Sequence, residues 1–349
     1  MKALVYHGPG DKVWEEVPDP TVQDPNDVIV KIDTTTICGS DLHILKGDVP
    51  AVTDGRVLGH EGVGTVVEVG SGVAKFEVGH RVVVSCITTC GTCAYCRVGH
   101  PSHCQSAGGV GWLLGHLVDG TQAEYVRVPF GETSLHSIPE GLTDEEVIFV
   151  SDIIPTGYEM GVLSGNVQPG NDVVVIGAGP VGMAAMVTAE LKGPRRIIAV
   201  DLDDFRLAAA RESFGATHTV NSGHEGWMDE VKALTRHGGA DVVMEAVGIP
   251  QTLEAAFELV RPTGRIANIG VHGAPVTMPI ERLWIENITM TMGLVDAVTA
   301  PTLIELIEAG KLNVRPLATH HFKLNDMMKA YEVFSQAAKN DALKVVIKA

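Results

Sequence analysis

Cys90, Cys93, Cys96 and Cys104 stand in a C-x2-C-x2-C-x7-C pattern, four of the chain's six cysteines within one short stretch. Four thiolates that close in a turn-rich segment can wrap a tetrahedral ion, and zinc is the usual choice. Four protein ligands leave no open position, so such a site staples a loop and does not bind substrate. Iron–sulfur clusters also use short cysteine spacings, although nothing else in the chain points to one-electron chemistry. His100 and His103 fall inside the same stretch, where four thiolates already fill a tetrahedron. The chemistry must then be sought elsewhere.

Two further stretches carry reactive types, ICGSDLH (37–43) and LGHEGVG (58–64). They supply Cys38, His60 and Glu61, and Asp152 in FVSDIIPTGYEM adds a carboxylate where the strand-rich part of the chain ends. Three protein ligands with an open fourth position are the plan of a catalytic zinc. Spacing alone leaves the matter open. A lone cysteine near a strand end is commonly a small buried hydrophobe, and a lone histidine is commonly structural.

A third pattern is VVVIGAGPVGMAAM, with Gly177, Gly179 and Gly182 in G-x-G-x-x-G spacing. It follows a buried-type strand and opens a helical run, and Asp201 ends the next strand, IIAVD. That context makes it a dinucleotide fingerprint. Gly177 permits the tight turn, Gly179 lets the backbone approach a pyrophosphate at the helix N-terminus, and Gly182 allows close helix–strand packing. Pro180 and Val181 complete the predicted cofactor-binding run. Asp201 can accept from both adenosine ribose hydroxyls and would repel a 2′-phosphate, so NAD is expected over NADP.

The elements that must position these groups change character along the chain. Up to about residue 150 the sequence reads as short strands bounded by turns, as in DVIVKIDTTT, GTVVEVGSG, RVVVS and AEYVRV. From about 170, apolar strands alternate with helical stretches, which implies a parallel sheet with helices on both faces. Two more helical stretches and a strand, ALKVVIKA, follow position 295. The expected class is α/β: a Rossmann-type doubly wound parallel sheet plus a strand-rich domain. The 349 residues exceed one ordinary core. The net charge of −17 argues against nucleic acid or an anionic membrane as partner. No apolar run reaches the length of a membrane span, and MKALVYHGPG lacks a signal-peptide core. A cytoplasmic location is expected, where reducing conditions turn clustered cysteines towards metal. An exposed strand near 290, NITMTMGL, could pair with a second copy.

GHEGVGTVVEVGSGV (59–73) matches the zinc signature of the medium-chain zinc-dependent alcohol dehydrogenases. The four-cysteine lobe and the glycine fingerprint follow in the same order as in that family, and the resemblance covers the whole chain. It implies a GroES-like catalytic domain over 1–153 and 295–349, carrying a structural zinc lobe at about 86–110. A Rossmann coenzyme-binding domain over 154–294 is implied as its insertion. Cys38, His60 and Asp152 then match the catalytic zinc ligands, and Glu61 a glutamate that ligates transiently. Asp41 matches the carboxylate that orients the ligating histidine. Ser40 matches the hydroxyl on the substrate oxygen and His43 the surface end of a proton relay. Thr156 matches a residue near the nicotinamide. Arg206 and Lys344 resemble cofactor-contacting cations. Trp112, Leu294 and Cys86 fall where the bacterial secondary-alcohol dehydrogenases place pocket residues. Those enzymes commonly lack the cysteine lobe and an acid at the position of Asp201, so the chain is a mosaic.

The resemblance implies reversible hydride transfer between NAD and a small alcohol, secondary before primary, with two zinc ions per chain and a homotetramer before a dimer. Polyol or L-threonine dehydrogenases of the same superfamily share the lobe, the fingerprint and the acid. A non-catalytic dinucleotide-binding redox sensor is the reading from another class.

Overall fold

The computed structural model describes residues 1–349. They form two compact units, unit 1 from Met1–Asp152 and Asp296–Ala349, and unit 2 from Ile153–Val295. The strands of the first segment are β1 (Lys2–Gly8), β2 (Asp11–Glu16), β3 (Val28–Thr36), β4 (Arg56–Val57), β5 (Gly62–Val69), β6 (Arg81–Val84), β7 (Tyr125–Val128) and β8 (Leu135–Ser137). Unit 2 holds β9 (Asp172–Ile176), β10 (Arg196–Asp201), β11 (His218–Asn221), β12 (Ala240–Glu245), β13 (Val260–Asn268) and β14 (Thr289–Met292). The chain then returns to unit 1 for β15 (Ala318–Lys323) and β16 (Lys344–Lys348).

In unit 1 a seven-stranded sheet runs β15-β16-β3-β5-β6-β8, with β7 also paired to β3, and β2-β1-β4 form a smaller sheet. Only β15 and β16 are parallel; the other pairs are antiparallel. Valine and isoleucine dominate the inward positions, where β-branched side chains suit a pleated surface. Val28, Val30, Ile32, Val66, Val82 and Val126 meet in one core cluster. The expected strand 64–72 starts two residues earlier and stops at Val69, where the Gly70 N–H donates to Asp27 O at 2.8 Å and closes the pairing with the start of β3.

Unit 2 is a parallel sheet in the order β11-β10-β9-β12-β13-β14. Helices Pro180–Ala189, Asp204–Ser213, Trp227–Leu234 and Pro250–Leu259 connect its strands. Every residue of β9 and of β12 is buried, as expected of central strands covered on both faces. The strand order reverses between β9 and β12, so their carboxyl ends flank the crevice that such sheets use for ligands. The stretch near 290 is the edge strand β14. No helix is long and apolar enough to cross a membrane.

Charged side chains stitch the opposite, amino-terminal edge. Asp172 opens β9 and is buried. Its carboxylate accepts both Nε (2.8 Å) and Nη2 (2.6 Å) of Arg195 and the Arg236 N–H (2.9 Å). Asp241, in β12, accepts the Asp172 N–H at 2.6 Å and Arg261 Nε at 2.8 Å. Burial opposes the charge on Asp172, but the Arg195 and Arg236 bonds win and hold its carboxyl below the ordinary 3.8. A carboxyl lowered on folding adds stability that is complete above its ordinary value and fades as pH falls through the lower folded one. Asp172→Asn is therefore expected to cost about 1.5–3 kcal/mol near neutrality and to flatten the loss of stability in acid. Urea unfolding across roughly pH 2–7 measures both, and an unchanged acid profile would remove Asp172 from this role.

Candidate functional site

Cys38, His60 and Asp152 come from three segments of unit 1 and converge. Cys38 is the N-cap of the helix Gly39–Lys46, just after β3. Its N–H donates to Asp41 Oδ2 at 2.9 Å, the return half of a capping box that fixes the helix start. His60 precedes β5 and follows Gly59, whose φ of +93° suits glycine. A Cβ there would lie 2.8 Å from the backbone nitrogen of Gln122, so no larger residue fits. Asp152 follows the 3-10 turn Ile148–Ser151.

Asp152 Oδ2 lies 3.2 Å from Cys38 Sγ and 3.3 Å from His60 Nε2. All three donor atoms fall within 4.8 Å of one another. Donors around one tetrahedral ion with bonds of about 2.0–2.3 Å stand roughly 3.3–3.7 Å apart, so the triad fits zinc in both chemistry and spread. Burial pushes the Cys38 thiol up, and the neighbouring Asp152 charge adds to that. Burial also opposes the Asp152 charge, yet the His60 bond pulls its carboxyl far below the ordinary range.

Behind the triad lies a buried polar layer. Asp41 Oδ1 is 3.9 Å from His60 Nδ1, and both atoms are buried without a hydrogen-bond partner. The pair is placed for a carboxylate that orients a ligating imidazole. Asp41 Oδ2 also accepts Gln122 Nε2 at 3.0 Å, and Gln122 Oε1 accepts the Tyr331 hydroxyl at 2.8 Å. Glu61 stands outside the donor triad. Its Oε2 accepts Lys344 Nζ at 2.5 Å and Thr36 Oγ1 at 3.1 Å, while Oε1 is buried and unpartnered.

Lys344, expected as a cofactor-contacting cation, is the buried partner of Glu61. It is 1% exposed, and its ammonium donates to Ile37 O (2.8 Å) as well as to Glu61. Burial disfavours that charge, but Glu61 restores it and holds the lysine above its ordinary value. The β16–β3 pairing places it there, because Val346 stands opposite Thr36.

Ser40 Oγ lies 3.5 Å from His60 Nε2, at the same nitrogen that faces Asp152. His43, one turn further along the helix, reaches outward to Asp48 Oδ2 at 2.8 Å. Trp112 meets His60 edge-on at 5.8 Å between ring centroids and stacks on His116 at 4.5 Å. It also packs against the core cluster of Leu4, Ile37, Leu58 and Tyr331, so it is core and site wall at once. Cys86 is buried beyond β6. In unit 2, Leu294 is 37% exposed after β14, and Thr156 opens the π-helical segment Thr156–Leu163.

The cysteine lobe forms a second donor set. Cys90, Cys93, Cys96 and Cys104 bring their sulfurs within 4.8 Å of one another, and all are free of disulfides. Backbone N–H groups point at three of the sulfurs: Cys90 at Cys104 (3.3 Å), Cys93 at Cys90 (3.4 Å) and Gln105 at Cys93 (3.5 Å). Such donors favour thiolate over thiol. Burial opposes ionisation of Cys90, but the Ser106 and Thr92 hydroxyls and nearby N–H groups bring it down to about 5. Burial pushes Cys104 up to about 11. Neither histidine competes: His100 turns to Asp296 Oδ2 (3.1 Å), and His103 edges onto Tyr95. Asp296 Oδ1 also accepts the Ser102 N–H (3.1 Å) and hydroxyl (2.6 Å), which ties down the lobe.

In unit 2 the glycine turn links β9 to the helix Pro180–Ala189. Gly177 has φ +97°, and a Cβ there would lie 2.6 Å from Val247 Cγ2. A Cβ on Gly182 would strike the Gly177 carbonyl. At Gly179 a Cβ would meet nothing nearer than Arg206 Nη1 at 3.9 Å, so the backbone there is open to a ligand. Pro180 occupies the first helical position, where its missing N–H costs nothing, and Val181 follows it. Asp201 Oδ2 accepts the Ala178 N–H at 2.7 Å, so the predicted ribose acid also pins the turn. Arg206 Nε is buried without a partner beside it. The open cradle, the helix N-terminus and the acid together fit a dinucleotide.

Residues 24–140 match the alcohol dehydrogenase GroES-like domain, and residues 180–309 match the zinc-binding dehydrogenase family. An alcohol dehydrogenase of Cupriavidus necator is 36% identical over 100% of this chain and 98% of its own. The structure of zinc-dependent alcohol dehydrogenase 2 from Streptococcus pneumonia superposes with a TM-score of 0.94 at 47% identity, covering 100% of this chain and 98% of that one. The chain belongs to the medium-chain zinc-dependent alcohol dehydrogenase family. A family relative from E. coli, described as a short chain alcohol dehydrogenase complexed with NADH, has a TM-score of 0.87 at 27% identity, covering 100% of this chain and 99% of that one.

Sequence reasoning missed the layer that supports the candidate metal donors Cys38, His60 and Asp152. Gln122, Tyr331, Thr36 and the pairing role of Lys344 carry no local signal, because their partners lie far away along the chain. Replacing Lys344 by methionine leaves Glu61 buried and uncompensated, with an expected loss of about 3–5 kcal/mol. Adding Glu61→Gln should recover much of it. Urea unfolding of the three proteins tests this, and a loss below about 1 kcal/mol for Lys344→Met, the range of exposed pairs, would show that the pair is effectively solvated.

Proposed function

We propose that the chain is an NAD-dependent dehydrogenase that interconverts a small alcohol, secondary before primary, with its ketone or aldehyde. The observation that carries the reading is the triad of Cys38, His60 and Asp152, with donor separations of 3.2 and 3.3 Å and Trp112 edge-on to it. Two zinc ions per chain are proposed, one held by this triad and one by Cys90, Cys93, Cys96 and Cys104. When bound, the triad's zinc polarises the alcohol oxygen as a Lewis acid and the nicotinamide ring accepts hydride.

The chain's own residues do the rest. A thiolate and a carboxylate balance the charge of a divalent ion, and the neutral His60 completes the set. Three ligands leave the fourth position for substrate. Ser40 holds the substrate hydroxyl and accepts its proton while giving up its own, and His43, in contact with Asp48 near the surface, passes the relayed proton to solvent. Glu61 is held back from the ion by Lys344 and is proposed to approach it only transiently. Trp112 supplies an apolar wall, which suits a simple alcohol better than a polyol. Gly177, Gly179 and Gly182 receive the pyrophosphate, and Asp201 receives the ribose and repels a 2′-phosphate. The clustered, metal-type spacing of the cysteines supports a cytoplasmic location, and the exposed edge of β14 supports a homo-oligomer.

NADH formation with 2-propanol and with ethanol, each with and without a zinc chelator, tests the reading. Chelator-sensitive turnover, faster with 2-propanol, is expected. Preference for ethanol would discard the secondary-alcohol pocket. Silence with both, in protein holding two zinc ions, would point to polyols or threonine. Cys38→Ser should lose one zinc and nearly all turnover while still binding NADH, and full activity in that variant would sink the ligand assignment.

A further inference from the structure

The carboxyl edge of the sheet in unit 2 carries a buried polar group that the steps above leave unused. Glu245 ends β12 and Asn268 ends β13, and the two are paired in register. Glu245 is fully buried, and its Oε1 accepts the N–H groups of Val247 and Gly248 (2.9 Å each) and the Thr252 hydroxyl (2.7 Å). Asn268 Nδ2 donates to Gly270 O at 3.1 Å, which turns its Oδ1 towards His272 Nε2 at 2.9 Å. Glu245 Oε2 lies 3.4 Å from the same nitrogen. Asn268 Oδ1 as acceptor at Nε2 places the ring proton there, and the nearby Glu245 Oε2, itself without a hydrogen-bond partner, favours the same tautomer. The other nitrogen, Nδ1, is buried and has no hydrogen-bond partner. In the neutral ring it is an acceptor, and a buried acceptor left unpaired is costly.

Close packing fixes where this atom stands relative to the glycine turn. A Cβ on Gly177 would lie 2.6 Å from Val247 Cγ2, and one on Gly248 would lie 2.8 Å from the carbonyl carbon of Val271. The turn, the loop after β12 and the loop after β13 are thus packed in succession. In the strand order β10-β9-β12-β13, Asp201 lies on one side of the turn and His272 on the other. A dinucleotide with its pyrophosphate at Gly179 and its adenosine ribose at Asp201 carries its nicotinamide half across the ends of β12 and β13.

We propose that His272 Nδ1 accepts a hydrogen bond from the carboxamide N–H of the nicotinamide, which makes His272 the residue that sets the rotation of the reactive ring. The inference rests on the NAD reading above. Glu245 and Asn268 act through His272: they fix the tautomer that leaves Nδ1 as an acceptor. Fixing the carboxamide fixes the ring carbon that must face the substrate, a contribution of orientation.

Binding of NAD and of ADP-ribose, which lacks the nicotinamide, to the wild type and to His272→Gln separates the possibilities by titration calorimetry. Glutamine can still reach Asn268 but offers nothing at the Nδ1 position. The NAD dissociation constant is expected to rise roughly three- to tenfold, the size of one hydrogen bond, with ADP-ribose binding unchanged. His272→Asn, which sets an amide oxygen near the Nδ1 position, should keep most of the preference for NAD over ADP-ribose. Equal weakening of both ligands, or no change in either, would overturn the assignment. ADP-ribose binding by the variants also reports that unit 2 is folded. If the wild type binds neither ligand, the NAD reading itself fails, and the role of His272 with it.

Discussion

Unit 1 must keep several acids close together inside a core. Asp41, Glu61 and Asp152 surround Cys38 and His60, and the first two are 1% exposed. Anions crowded in a medium of low dielectric repel one another and lose hydration. The structure answers with one equally buried cation, Lys344, and with directed donors. The Cys38 N–H and the Gln122 amide serve Asp41, and the Thr36 hydroxyl serves Glu61. Much of the unit's topology follows from this need. The strand β16 must return beside β3 so that its first residue faces Glu61. Tyr331 must also return, to hold Gln122.

Unit 2 solves a different problem by different means. Its sheet is apolar through the middle, and its two edges divide the polar work. Arginine–aspartate pairs close the amino-terminal edge. The carboxyl edge keeps backbone and side-chain groups available at the glycine turn, Asp201 and the loops after β12 and β13. Stability and the proposed binding thus sit at opposite ends of the same strands.

Groups set by short spacing were legible in the sequence. The cysteine lobe and the glycine turn are each complete within a few dozen residues, and local backbone geometry fixes them. The α/β class and the alternation in unit 2 followed from apolar runs of strand length. Cys38, His60 and Asp152 were legible only with the family signature, because three segments have to fold before the donors meet. The supporting layer was not legible. Tyr331 is 209 residues from Gln122, and Lys344 is 283 from Glu61. A lysine in a final strand reads as a solvated charge, and only the pairing of β16 with β3 turns it inward. His272 was missed for the same reason, since nothing beside it in sequence signals Glu245.

The interruption of unit 1 by unit 2 also bears on how the molecule is made. Unit 2 is one continuous stretch, Ile153–Val295, and every strand of its sheet is synthesised before β15 begins. Unit 1 has Cys38, His60 and Asp152 early, but the cation that compensates the acids around them is synthesised some 190 residues after Asp152. Domains generally fold in order of synthesis, N-terminal first. Here the inserted unit can close while the segments flanking it in sequence still lack the strand that neutralises their core.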